Sequence, residues 1–153
     1  MSASLVIGAN GQIGSELVDA LATTRGAANV IAADLATPRA LGRSPFVTLD
    51  VLDRARLAEV VQRHAVTDVY LLAAALSAKG EAAPLETWRL NVDGLVNVLE
   101  LARERRIARV FWPSSIAAFG PHTPRDCAPQ WTVMDPTTMY GASKLAGERL
   151  CAY

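Results

Sequence analysis

The sequence predicts an α/β fold built as a doubly wound parallel sheet, and three observations carry that expectation. Short apolar runs alternate with longer segments of helical periodicity. The runs lack the polar alternation of a half-solvated strand, so both faces of their sheet should be covered. Three glycines, Gly8, Gly11 and Gly14, fall three residues apart in LVIGANGQIGSEL, where the first apolar run gives way to the first helical pattern. Glycine inside a helix costs roughly 1 kcal/mol relative to alanine, so three at one junction imply backbone that a large anionic group approaches closely.

In chain order, strands are expected at 4–8, 29–34, 46–49, 68–74 and 109–112, all buried. The first helix covers 12–24. The second opens at about Asp53, a suitable N-cap, and runs to His64 with Leu57, Val60 and Val61 on one face. The third covers 84–106, with Pro84 in its first turn and Leu85, Trp88, Val92, Leu95, Val96 and Leu99 forming a broad apolar face. Arg103, Arg105 and Arg106 fall where a helix C-terminus favours cations, and are read as a solvated end rather than a polyanion site. Pro121, Pro124, Pro129 and Pro136 make 120–136 an irregular surface loop before a last helix. Strand–helix–strand order makes right-handed crossovers the default, within one domain over 1–153.

The 153 residues are 51% hydrophobic, ample for one packed core, and 15 basic side chains balance 15 acidic ones. That balance argues against nucleic acid or an anionic membrane as partner and favours a small molecule. Cys127 and Cys151 form no CxxC pair or His/Cys cluster, so neither disulfides nor a zinc site is expected. His64 and His122 are read as isolated surface residues. With neither a basic leader nor a long apolar run, the chain is expected to be soluble and cytoplasmic.

In a βαβ unit the first helix aims its amide donors and positive dipole end at the strand's exit, a seat for a pyrophosphate. Gly8 then permits the tight turn, Gly11 lets phosphates reach the backbone, and Gly14 lets the helix pack closely. Asp34 ends the second strand twenty positions past Gly14, where a carboxylate accepts from ribose hydroxyls and repels a 2′-phosphate. NAD is therefore expected over NADP; Arg39, nearby, keeps NADP as the alternative. A plain strand-ending turn would also account for Asp34.

MYGASK places Tyr140 and Lys144 on one helical face. A free phenol titrates near pH 10, and an adjacent ammonium favours its ionised form. Ser115 follows the fifth strand, at the carboxyl edge where open α/β sheets hold ligands. Taken singly, these residues also read as a snorkelling surface pair and a local cap. Together they form an alcohol dehydrogenase site: Tyr140 takes the hydroxyl proton, Lys144 holds the nicotinamide ribose and tunes Tyr140, and Ser115 binds the reacting oxygen.

On IGANGQIGSEL, LAAALSA, FWPSSIAAFGPHTP and QWTVMDPTTMYGASKLAGER, the whole chain resembles the L-threonine 3-dehydrogenases among extended short-chain dehydrogenases/reductases. The resemblance implies a Rossmann fold and NAD-dependent oxidation of the C3 hydroxyl of L-threonine to 2-amino-3-oxobutanoate. It assigns Asp50 and Val51 to adenine, Leu72, Ala73 and Ala74 to the dinucleotide, Asn91 to the cofactor site, and Ser77 to the substrate. Asn10, Gln12 and Ile13 on the glycine turn, and Leu35 after Asp34, join the cofactor set. Chains of that family run to about double this length, so later strands and a substrate-closing C-terminal domain would lie beyond this sequence. Homodimerisation through helix 84–106 and the last helix is implied as well, although the same apolar face could pack on its own sheet. Two alternatives remain: a nucleotide-sugar epimerase or dehydratase, and a non-catalytic NAD-binding module.

Overall fold

The computed structural model describes residues 2–38 and 42–153, with only the backbone of 77–79. Five parallel strands form one sheet: β1 (Ala3–Ile7), β2 (Val30–Asp34), β3 (Phe46–Thr48), β4 (Val66–Leu71) and β5 (Arg109–Phe111). Their order is β3-β2-β1-β4-β5, so the chain leaves β1 to one side and later returns to the other. That reversal places a topological switch point at the end of β1, where sheets of this kind bind ligands. The fold is a Rossmann-like parallel sheet with flanking helices.

Register explains the two-sided burial. Val6 lies beside Ala32 and Tyr70, while Leu5 and Ile7 lie beside Ile31 and Ala33 on one flank and Val69 and Leu71 on the other. Alternate residues face opposite sides of the sheet. Helix α1 (Gln12–Arg25) packs Val18 and Leu21 against Val6, Val30 and Ala32. It stops at Gly26, whose φ of +85° suits glycine and whose N–H returns to the Ala22 carbonyl. Helix α2 (Arg54–Arg63) opens at Asp53, which accepts the Arg56 N–H at 2.9 Å, and buries Leu57, Val60 and Val61 as the spacing requires. The edge strands are shorter than the apolar runs suggest. Both are only partly buried, because an edge strand lacks one lateral neighbour.

The backbone groups into two compact units: 1–73 with 95–113, and 74–94 with 114–153. The first holds the sheet, α1 and α2. In the second, a six-residue helix α3 (Ser77–Ala82) and helix α4 (Pro84–Trp88) pack with helix α6 (Met139–Ala152). The sequence reading missed α3, a short helix that carries a glycine.

The expected single helix over 84–106 is interrupted by a π-helical turn, Arg89–Asp93, before α5 (Gly94–Arg103). A wider turn shifts the phase of the apolar stripe. Val92, Leu95, Val98 and Leu101 are its buried apolar residues, whereas Leu85, Trp88 and Val96 are exposed at 76%, 37% and 37%. Arg105, at φ +58°, lies past the end of α5. Arg103 pairs with Glu100, and Arg106 donates to the Ala58 carbonyl at 2.8 Å, so this basic end is occupied locally. As expected, 120–136 contains neither helix nor strand. None of the described helices is long and apolar enough to cross a membrane.

Candidate functional site

In the first unit, the turn after β1 is shaped by what cannot fit there. Gly8 has φ +90°, and a Cβ on it would lie 2.6 Å from the Ala73 nitrogen. The N–H groups of Leu72 and Ala73 both donate to the Ile7 carbonyl, which holds the exit of β4 across the turn. A Cβ on Gly14 would strike the Gly8 carbonyl and come within 2.9 Å of Ala9 Cα, so α1 approaches the turn closer than any side chain allows. Gly11 differs: among the described residues its Cβ would meet only the Gly8 oxygen, at 3.3 Å. Its bareness serves no internal contact.

Gly11 is also the N-cap of α1. Among the described residues no side chain caps this helix end, and no acidic residue stands in the first turn, so its donors and dipole face an anion without a competitor there. Asn10, Gly11, Gln12 and Ile13 are exposed around it. Asp34 is already oriented: Oδ2 accepts the Asn10 N–H at 2.9 Å and Oδ1 the Leu35 N–H at 2.8 Å. Each oxygen keeps a lone pair for a further donor. The Asn10 amide donates to the Ala36 carbonyl at 2.5 Å, tying the chain after β2 to the glycine turn. Asp50 is exposed and accepts the Leu52 N–H, while Val51 is buried and its carbonyl accepts from Asn97. A bare turn, an uncapped helix start and a preset carboxylate are features a dinucleotide requires. Arg39 lies outside the described residues.

In the second unit, α6 carries Tyr140 and Lys144. Thr138 caps it by accepting the Gly141 N–H at 3.0 Å, and Glu81 of α3 accepts the Met139 N–H at 2.7 Å. The Lys144 ammonium lies 5.6 Å from the centre of the Tyr140 ring. Lys144 is 3% exposed, and burial lowers its pKa from 10.5 to about 8. Ser115 caps a short 3₁₀ turn, Ile116–Ala118, by accepting the Ala117 N–H at 3.2 Å, which leaves its own proton to donate. A Cβ on Gly141 would collide with the Ala117 carbonyl, so glycine brings α6 against the turn that Ser115 begins.

Asn91 stands in the π turn, 2% exposed. Its amide grips both backbone groups of Ala75, at 2.8 and 3.2 Å, and donates to the Ser143 hydroxyl at 3.0 Å. Ser77 opens α3, but its side chain lies outside the described residues; Ala74 begins this unit. His122, expected to stand alone, has Nδ1 2.5 Å from the Asp135 carboxylate, and this hydrogen bond chiefly holds that carboxyl below its usual range. Sequence reasoning missed Glu81 and Ser143, because a short cap and a hydroxyl inside a helix leave no periodic signal.

The chain matches the NAD dependent epimerase/dehydratase family over residues 4–153. It is 47% identical over its full length to an uncharacterized epimerase/dehydratase of Staphylococcus saprophyticus subsp. saprophyticus, covering 48% of that protein. Among solved structures, the holo form of a GalE-like L-threonine dehydrogenase from Cupriavidus necator is 58% identical with a TM-score of 0.94, over 98% of this chain and 49% of that one. A UDP-glucose 4-epimerase from Brucella ovis in complex with NAD is 30% identical with a TM-score of 0.85, over 99% and 47%. The chain therefore belongs to the NAD-dependent epimerase/dehydratase family, an enzyme family that uses NAD in a Rossmann fold. It spans about half the length of the relatives it matches.

Proposed function

We propose that the protein of which this chain forms the cofactor-binding part oxidises the C3 hydroxyl of L-threonine to 2-amino-3-oxobutanoate. The observation that carries this reading is the buried Lys144 ammonium 5.6 Å from the Tyr140 ring, on a helix packed against the turn of Ser115. Gly8, Gly11, Gly14 and the α1 start hold the pyrophosphate, and Asp34 holds the adenosine ribose. Asp50, Val51, Leu72, Ala73 and Ala74 flank the dinucleotide.

Bound NAD supplies the hydride acceptor. Ser115 donates a hydrogen bond to the substrate oxygen and orients it. Tyr140 takes the hydroxyl proton, and the ammonium of Lys144, close to the ring, favours the charge this creates. With a pKa of about 8, Lys144 is mostly charged at neutral pH. Asp34 disfavours a 2′-phosphate by like-charge repulsion, which selects NAD over NADP.

A nucleotide-sugar epimerase could use the same groups, and the family name admits it. The identity of 58% to a threonine dehydrogenase against 30% to a UDP-glucose epimerase favours threonine. A non-catalytic module has no need of Tyr140 and Lys144. Assaying the full-length protein with NAD and either L-threonine or UDP-glucose separates these readings. Reduced-cofactor absorbance that rises only with L-threonine is the expected result; UDP-glucose turnover without threonine oxidation would replace the proposal with the epimerase.

A further inference from the structure

We infer that Ser143 is a positioning residue: it links the helix bearing Tyr140 and Lys144 to the strap 75–91 through Asn91, and so fixes where the phenol and the ammonium point. The inference rests on the proposed roles of Tyr140 and Lys144. Ser143 sits between them in sequence and is fully buried, at 0% exposed. Its hydroxyl donates to the Tyr140 carbonyl at 2.7 Å and accepts the Asn91 amide at 3.0 Å. That amide also binds the N–H and the carbonyl of Ala75. One chain of hydrogen bonds thus runs from Ala75 through Asn91 and Ser143 to the residue that carries the phenol.

Buried polar groups demand partners, so this linkage has a preferred geometry rather than a sliding one. Turning α6 about its axis would break the Ser143–Asn91 bond and leave a donor and an acceptor without water. The π turn has a purpose in this light: the wider turn puts Asn91 on the inward side, where a regular helix carrying the apolar stripe would place it differently. Asn91 therefore acts on the site through Ser143 and Ala75, rather than by spending its amide on a ligand.

The test uses two readouts. In the full-length enzyme, Ser143→Ala should lower kcat at least tenfold while the KM for NAD changes less than twofold. Asn91→Ala should do the same, and the double variant should be no worse than either single change, because both cut one linkage. Losses that multiply, or a Ser143→Ala enzyme with unchanged kcat, would overturn the inference.

The second readout needs no substrate. In the full-length enzyme labelled on lysine, the NMR signal that disappears in Lys144→Met reports the Lys144 titration directly. Its midpoint should lie near 8 in the parent and move toward 10.5 in Ser143→Ala, as the ammonium gains water. Ser143→Cys, which keeps the volume, replaces the alanine variant should that one not fold. An unmoved Lys144 would refute the linkage even if threonine proved not to be the substrate, and a moved one would support it in that case too.

Discussion

Gly11 and Gly8 are equivalent in the sequence pattern and opposite in what a methyl group would meet. At Gly8 a Cβ lands on the Ala73 backbone with φ at +90°, so Gly8→Ala should lower Tm by about 5 °C or more. At Gly11 the methyl group faces only the Gly8 oxygen at 3.3 Å, and Gly11→Ala should leave Tm within about 2 °C. If Gly11 seats the pyrophosphate as proposed, the same change should weaken NAD binding at least about tenfold, or about 1.4 kcal/mol. Calorimetric titration with NAD beside thermal melts checks both halves. Tyr140→Phe removes only a hydroxyl and should leave NAD affinity within about twofold, while full-length activity falls by about 10² to 10⁴.

Lys144 makes a residue-scale prediction about pH. Its folded pKa of about 8 lies below the unfolded 10.5, so between those values the unfolded chain binds more protons and stability rises with pH. Tm should climb from about pH 8 toward pH 10, and Lys144→Met should flatten the climb; a parent Tm that falls over that window would contradict the buried ammonium.

Asp68 shows how single elements are held to the sheet. Sitting on β4 at 3% exposed, it accepts from Arg109 of β5 at 2.7 and 2.8 Å and from Arg25 of α1 at 2.6 Å. Arg25 also reaches the Ser4 hydroxyl on β1 at 2.8 Å. The Arg109 hydrogen bonds chiefly hold the Asp68 carboxyl below its usual range. Its stabilising effect is complete above the unfolded pKa of 3.8 and fades as pH falls through the lower folded value. Asp68→Ala should destabilise by about 2–3 kcal/mol at pH 7 and steepen no acid transition of its own, as urea melts at pH 7 and pH 3 would show.

At this scale the sequence was readable where local chemistry decides the outcome. Asp53 caps α2 by the bond its side chain predicts, and the strand alternation around Val6 and Leu5 follows from the pleat. It was unreadable where a long-range contact decides. Nothing in RLNVD announces a π turn, so of the apolar face read as Leu85, Trp88, Val92, Leu95, Val96 and Leu99, Val92 and Leu95 are buried while Leu85, Trp88 and Val96 are exposed. The residues proposed to carry the chemistry, Tyr140, Lys144 and Ser115, were legible as types. The groups bonded around them, Glu81 and Ser143, were not, since their partners lie 58 and 52 residues away.

For the molecule as a whole, the exposed Leu85 and Trp88 sit one helical turn apart on α4 and form an apolar strip without a cover among the described residues. A homodimer of the full-length protein through this strip and α6 is the corresponding proposal. Light scattering should give twice the chain mass, and Leu85→Glu with Trp88→Glu should give a monomer; a monomeric parent would remove it. The two compact units carry different sets of candidate groups. In the proposed function one would supply bare backbone and a carboxylate for the dinucleotide, the other a phenol, an ammonium and a hydroxyl for the alcohol.

The account is tested most directly by a crystal structure of the protein soaked with NAD. It should show the pyrophosphate against Gly11 and the first amides of α1, the adenosine ribose on Asp34, and the nicotinamide ring beside the Tyr140 hydroxyl. A nucleotide bound elsewhere, or seated with its nicotinamide directed away from Tyr140, would contradict it.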